Sequence, residues 1–384
     1  MDVFDSRLLG APEMFGLCWN WKRYIEAVTI FATIMENMPT PPRIYLDHAA
    51  TTPVIPAARE AMIEGLDRWA NPSSPHHEGR AARAALEDAR KRIAAALFWD
   101  GEVILTSGAT ESINIGLTGF RAVASAVEHS AVLAIVGVGK RITVNANGIF
   151  EMPYIQSMRR YAIQQVNNET GVIQPLDELR DMFREAGGTL LADCSQSAGK
   201  LALPEADMIA VSAHKLGGPP GIGALLVHKL DVLHPTGGQE QGYRRGTENL
   251  PAALGFAAAL EAGFGWMSEA VRLRSMLDAA ITDAGGEVVA QRSPRLATIS
   301  SYRMPGVSAS SQLIGFDMAG IAVSAGSACS SGTLKSSHVL GAMGWDAQAA
   351  SEVVRVSFGP QTSEAEIARV IEVWHSISAR AKAA

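Results

Sequence analysis

Ser212-Ala213-His214-Lys215-Leu216-Gly217-Gly218-Pro219-Pro220-Gly221-Ile222-Gly223 follows directly on an apolar run, Met208 to Val211, that reads as a strand. The strand sets where the Lys215 amine points. Glycines at 217, 218, 221 and 223 let the backbone crowd close to a bound group. That placement suits a lysine holding an aldehyde cofactor as a Schiff base. Upstream, Asp193 closes another short apolar run, Thr189 to Ala192. A carboxylate there is placed to pair with a pyridinium nitrogen, as pyridoxal phosphate requires. A lone Lys-Gly-Gly is an ordinary surface turn, so the reading rests on agreement among the motifs around it.

Working outward, short apolar runs alternate with helix-like segments from about residue 56 to 250. Val103 to Leu105, Ala162 to Val166, Thr189 to Ala192, Met208 to Val211 and Ile222 to Val227 read as strands. Pro75 to Leu97, rich in Ala, Arg and Glu, reads as a helix with Leu86, Ile93 and Leu97 on one side. This rhythm predicts an α/β fold with a mostly parallel sheet covered by helices. In such sheets ligands sit beyond the carboxyl ends of the strands, where the polar motifs of this chain fall. After Leu250 the pattern turns to longer helices and fewer strands, which predicts a second, smaller domain. Its last helix opens on a capping box, Ser363 and Glu366, and carries Ile367, Val370, Ile371, Trp374 and Ile377 on one core-facing stripe.

Ser107-Gly108-Ala109-Thr110 lies between a strand and a helix, where free N–H groups and the helix dipole favour an anion. Alone it would be an N-cap. Gln196, three residues after Asp193, is placed to bond a ring hydroxyl. His129, between a helix and the next short segment, is placed to stack on a ring and move protons. The polar glycine-rich loop Gly237 to Asn249 needs a reason to be ordered, such as anion contacts or a subunit interface. Ser324-Ala325-Gly326-Ser327-Ala328-Cys329-Ser330-Ser331-Gly332 surrounds one thiol with small residues, which predicts an accessible nucleophile rather than a packed cysteine. Arg355, in the strand-like Val353 to Gly359, offers a fork that fits a carboxylate. Its bland alternative is a solvent-facing strand arginine.

Composition narrows the class. The chain has 384 residues, 47% hydrophobic and 19% charged, with a net charge of −6. No clustered basic face predicts nucleic-acid binding, and no apolar run reaches the roughly 18 residues of a membrane helix. Three dispersed cysteines, Cys18, Cys194 and Cys329, argue against a disulfide framework or an intrinsic metal site and for a reducing cytoplasm. Residues 1–40 lack the strand-turn-helix rhythm and read as a dispensable extension. A partner-binding helix is the alternative.

Taken together, these motifs closely resemble the NifS/IscS-like cysteine desulfurases, class V aminotransferase relatives with the pyridoxal phosphate fold type I. The resemblance also covers Tyr45-Leu46-Asp47-His48-Ala49-Ala50-Thr51-Thr52 and Asn71-Pro72-Ser73-Ser74, and runs from Tyr45 to about Gly359. It implies a large domain over 56–250 with a sheet of the seven-stranded type. A small α+β domain from 41–55 and 251–384 would carry the cysteine loop. It implies pyridoxal 5'-phosphate on Lys215, which also moves the Cα proton. Asp193 would hold the pyridine nitrogen, Gln196 the ring oxygen and His129 the ring face. Ala109, Thr110, Ser212 and His214 would bind the phosphate, and Thr247 would reach the phosphate of the other subunit of a homodimer. Asn168 and Arg355 would hold the carboxylate of L-cysteine. Cys329 would take its sulfur as a persulfide, leaving L-alanine, and would pass that sulfur to an iron–sulfur scaffold or a tRNA-thiolation partner. Cys329 could also ligate an iron–sulfur cluster in transit. A selenocysteine lyase or another class V aminotransferase is the alternative. The chain departs from the family pattern at Phe98 and Trp99, at Pro220, and at Cys194 beside Asp193.

Overall fold

The computed structural model describes residues 43–137, 141–151, 155–177, 179–326 and 336–383. The expected extension 1–40 and the thiol Cys329 lie outside the described residues.

The strand β1 (Ile44–Tyr45) precedes α1 (Pro56–Asp67), which begins with proline, where a fixed φ suits a helix and a missing N–H costs nothing. In α2 (His77–Ala96) the buried residues Ala82, Ala85, Leu86, Ala89 and Ile93 recur every three or four positions and form one apolar stripe. The His76 imidazole caps that helix, accepting from the Gly79 N–H at 3.2 Å. Next come β2 (Glu102–Thr106), α3 (Ala109–Leu117), β3 (Ala122–Ser125), α4 (Ser130–Val136), β4 (Arg141–Ile142) and β5 (Arg160–Gln164). They lead to α5 (Arg180–Glu185), β6 (Thr189–Asp193), β7 (Met208–Ser212) and β8 (Gly223–Val227). Beyond these lie α6 (Leu250–Glu261), α7 (Met267–Asp283), β9 (Glu287–Val288), β10 (Ile299–Arg303) and α8 (Ala309–Met318). The chain closes with β11 (Ile321–Ala322), α9 (His338–Ala342), α10 (Ala347–Ala350), β12 (Val353–Ser357) and α11 (Glu364–Ala383).

Among the described residues, seven strands form one sheet in the order β2-β8-β7-β6-β5-β3-β4. All neighbours are parallel except β8, which runs against both β2 and β7. Both faces are buried. Ile104, Leu191, Ala210 and Leu225 pack with Ile113 and Leu117 of α3 and Val132 of α4. Val103, Leu190, Ile209 and Leu226, one residue away on each strand, pack on the other side with Leu86 and Ile93 of α2 and Phe256 of α6. Thr106, Gln164, Asp193 and Ser212 end strands that point the same way, so the loops beyond them meet at one edge of the sheet.

A second sheet, β12-β10-β9, is antiparallel, and β1 pairs with β11 in parallel. Its core holds Leu46, Tyr302, Phe316, Val354, Val356 and Trp374. The capping box of α11 is formed: the Glu366 carboxylate accepts from the Ser363 N–H at 2.8 Å, and the Ser363 hydroxyl accepts from the Glu366 N–H at 3.3 Å. α6 begins at the boundary expected between two domains and packs on α1 and α2. Among the described residues no helix is long and apolar enough to cross a membrane.

Candidate active site

A cavity of about 420 Å³ opens at the strand-end edge. β7 delivers Lys215 to it through a single tight turn, in which the Leu216 and Gly218 N–H groups both donate to the Ala213 carbonyl at 3.0 Å. Gly217 has φ +90°, and a Cβ there would stand 2.8 Å from Ile55, so glycine is required. Segment 49–55 runs beside this turn: the Thr52 N–H donates to the His214 carbonyl at 2.8 Å and the Ile55 N–H to the Gly217 carbonyl at 2.9 Å. The Lys215 amine donates to the Ala49 carbonyl at 2.5 Å, and the Gln196 amide donates to the same oxygen at 2.9 Å.

Asp193 faces the cavity from the end of β6, with one carboxylate oxygen accepting from the Ser195 N–H at 2.9 Å and the Ser195 hydroxyl at 2.5 Å. His129 is the N-cap of α4, and its Nδ1 accepts from the Ala131 N–H at 3.2 Å, which leaves the proton of the neutral ring on Nε2. Burial, opposed by the charge of Asp193, holds this imidazole below its ordinary pKa. The adjacent Glu128 is fully buried, and burial pushes its carboxyl up to about 8 although Ser125 and the Gln164 N–H bond to it. Burial and the nearby Lys215 push His214 down to about 4.

The turn from Ser107 to Thr110 joins β2 to α3 and lines the cavity. Its N–H groups are not all free: that of Ser107 donates to the Glu111 carboxylate at 2.5 Å and that of Gly108 to the Thr106 hydroxyl at 3.3 Å. The carboxylate of the third residue of α3 reaches back to the helix N-terminus, so Ala109 and Thr110 supply the first-turn donors that face the cavity. Arg244 in turn holds Glu111 at 3.2 Å. Burial would raise the Glu111 pKa, but the Ser107 and Arg244 bonds outweigh it and hold the carboxyl below its ordinary value.

Gly108 has φ +146° and lies so close to Gly223 that a Cβ on Gly223 would stand 2.7 Å from the Gly108 Cα. A Cβ on Gly108 would stand 3.7 Å from the Ser212 hydroxyl, which places that hydroxyl beside this turn. The loop from Gly237 to Asn249 is tied to α2 and β2: Glu240 accepts from Arg90 at 2.5 and 2.9 Å and from the Leu105 N–H at 2.8 Å.

Ala109, Thr110, His129, Asn168, Asp193, Gln196, Ser212, His214 and Lys215 all line this one cavity. Arg355 is not among the lining residues: buried, it donates to the carbonyl of the lining residue Asn168 at 2.9 Å and to Asp47 at 2.6 Å, with its Nε–H unpaired. Thr247 is exposed and does not line the cavity. Cys194 points into the core, where burial pushes its thiol up and away from reactivity. Sequence reasoning passed over Ser195, Glu111 and Glu128, whose roles are hydrogen bonds that no spacing pattern encodes. Among the described residues no cluster of three His, Cys, Asp or Glu is arranged to hold a metal ion.

A pyridine aldehyde carrying a phosphate fits these residues. The buried Gln196 Oε1 has no partner on the cavity wall, the Gly108 turn leaves room for an anion, and an acid and an amine face the same space.

A family model described as aminotransferase class-V matches residues 44–370. The chain is 36% identical to the IscS-like cysteine desulfurase of Mycobacterium tuberculosis, over 88% of this chain and 97% of that protein. It is 33% identical to the cysteine desulfurase IscS of Dictyoglomus turgidum, over 87% of this chain and 94% of that one. Among solved structures, a NifS-like protein from Rickettsia africae superposes with a TM-score of 0.80 at 29% identity, covering 87% of this chain and 99% of its own. A structure described as SspA in complex with cysteine gives a TM-score of 0.73 at 28% identity, covering 83% and 100%.

Proposed function

Since the chain belongs to the class-V aminotransferase family and, within it, to the cysteine desulfurases, we propose that its cavity binds pyridoxal 5'-phosphate and removes sulfur from L-cysteine. The observation that carries this reading is the convergence of Lys215, Asp193, His129 and Gln196 on one cavity beyond the strand ends. When bound, pyridoxal phosphate supplies an electron sink for a carbon that loses its proton.

The chain's own residues do the rest. Lys215 is the amine for the cofactor's aldehyde and the base that takes and returns the proton at the substrate Cα. Asp193, oriented by Ser195, keeps a proton on the pyridine nitrogen. His129 covers the ring and Gln196 bonds its oxygen. Ala109, Thr110, Ser212 and His214 hold the phosphate, and the exposed Thr247 reaches the phosphate of a second subunit, so the working unit is a homodimer. Asn168 and Arg355 orient the substrate carboxylate.

Cys329 attacks the substrate sulfur as a thiolate. The Cβ–S bond breaks, an S–S bond forms on Cys329, and protons return to carbon and sulfur, giving L-alanine and an enzyme persulfide. That sulfur goes on to an iron–sulfur scaffold or a tRNA-thiolation acceptor in the cytoplasm.

An absorbance scan before and after adding L-cysteine, with L-alanine quantified, tests the reading. A cofactor band that shifts while alanine appears is expected. A Cys329→Ala variant should keep the band and lose the persulfide. Sulfide release at the wild-type rate from that variant would remove Cys329 from the mechanism.

A further inference from the structure

Behind the lysine turn stands a second amine that the reaction above does not use. Lys200 donates to the Lys215 carbonyl at 3.1 Å and to the Gln196 carbonyl at 3.2 Å. The Thr52 hydroxyl donates to the same Lys215 carbonyl at 3.2 Å. Lys200 therefore ties together by their main chains the two segments whose side chains, Lys215 and Gln196, meet at the Ala49 carbonyl.

Lys200 and Lys215 also share the wall of a second, small cavity of about 170 Å³, lined as well by Thr52, Phe264, Trp266 and Pro360. Phe264 lies against Gly199, where a Cβ would stand 2.1 Å from its ring. No carboxylate is among the described residues lining that cavity. Several titratable groups face the two amines. His48 faces Lys200 from the segment after β1, His214 and His129 face Lys215, and Asp193 shares the cofactor space with Lys215.

We propose that Lys200 is a positioning residue for Lys215: it anchors the lysine turn from behind, and a positive charge on it discourages one on the Lys215 nitrogen. The inference rests on the cofactor reading of Lys215 given above. A second cation with no acid beside it weakens proton binding at its neighbour, which is how a buried amine is kept available as a base near neutral pH. Burial and the charge of Lys215 push Lys200 itself down to about 7, so the two amines resist being charged together.

The test compares Lys200→Met, which removes the charge, with Lys200→Arg, which fixes it. Absorbance of the cofactor-loaded full chain, titrated with pH, reads protonation of the Lys215 nitrogen. The midpoint should be about one pH unit, tenfold in acid strength, lower in Lys200→Arg than in Lys200→Met. Equal midpoints would overturn the proposal and leave Lys200 a structural staple.

If Lys200→Met does not fold, pH-dependent acetylation of the wild-type chain, read lysine by lysine by mass spectrometry, decides. Lys200 should reach half-maximal labelling near pH 7, and a midpoint like that of surface lysines would overturn the proposal. If wild-type protein shows no cofactor band, the cofactor reading fails by itself. The same labelling then reads Lys215 directly, whose midpoint must still be lower in Lys200→Arg than in Lys200→Met.

Discussion

Glu128 shows how a single buried group makes this site depend on pH. Its carboxyl, next in the chain to His129, is fully buried and raised to about 8, whereas in an unfolded chain it titrates near ~4.3. Between those values the folded protein holds a proton that the unfolded chain has released. The resulting stabilisation is complete below ~4.3 and is lost as pH rises through about 8, by up to ~1.4 kcal/mol per pH unit. Denaturant unfolding at several pH values should therefore show wild-type stability falling from pH ~5 to ~8 relative to Glu128→Gln. The glutamine keeps the shape and loses the titrating proton, so parallel curves would rule the effect out.

Sequence reading reaches His129 through its neighbours in the motif set, yet it cannot reach Glu128. A Glu before a His looks solvated until β5 places the Gln164 N–H 2.8 Å from its carboxylate. Lys200 was hidden in the same way: after Gly199 it reads as a surface turn, and only tertiary packing closes Phe264 over its neighbour.

Helices and strands obey two different kinds of signal, and only one of them is visible in composition. Five buried strands of the large sheet, β2, β5, β6, β7 and β8, are apolar runs bounded by turn residues, so the sequence reading of them differs from the structure by no more than two residues at each end, whereas the four-residue β3 went unread. The two-residue strands β1, β4, β9 and β11 are too short to carry a period and were not legible. Nor was the reversed direction of β8, since direction follows from connection length and packing rather than from the strand's own residues.

Packing can also reverse a helix preference. In an open helix, replacing Gly65 by alanine would gain about 1 kcal/mol of propensity. Here the new Cβ would stand 2.6 Å from the Pro251 Cα, a backbone atom at the start of α6 that cannot swing aside. Overpacking of this kind costs about 1–3 kcal/mol, so Gly65→Ala should lower the urea midpoint. A raised midpoint would mean that α1 and α6 separate easily.

Across the whole molecule, the residues proposed to hold the substrate carboxylate come from distant parts of the chain. Arg355 comes from β12 in the second sheet, Asn168 follows β5 of the first, and Asp47 follows β1. No local pattern links these positions; the residues alone offered Arg355 as a carboxylate fork against a solvent-facing strand arginine, and only the family resemblance set it beside Asn168. The fold makes it a buried cation with one edge on Asp47, one donor on the Asn168 carbonyl and its Nε–H unpaired. An unpaired donor on a buried guanidinium costs energy unless a ligand completes it, and a substrate carboxylate has the geometry to do so.

Arg355→Lys keeps the charge and loses the fork. A charge-assisted hydrogen bond is worth about 1.5–3 kcal/mol, so KM for L-cysteine should rise roughly 10- to 100-fold. L-Cysteine methyl ester separates carboxylate binding from a general loosening of the site. If Arg355 reads the carboxylate, wild-type enzyme should prefer the acid over the ester by kcat/KM, and the lysine variant should lose most of that preference. A variant that is slower on both substrates by the same factor would instead make Arg355 a strut between the two sheets, with substrate orientation resting on Asn168 alone.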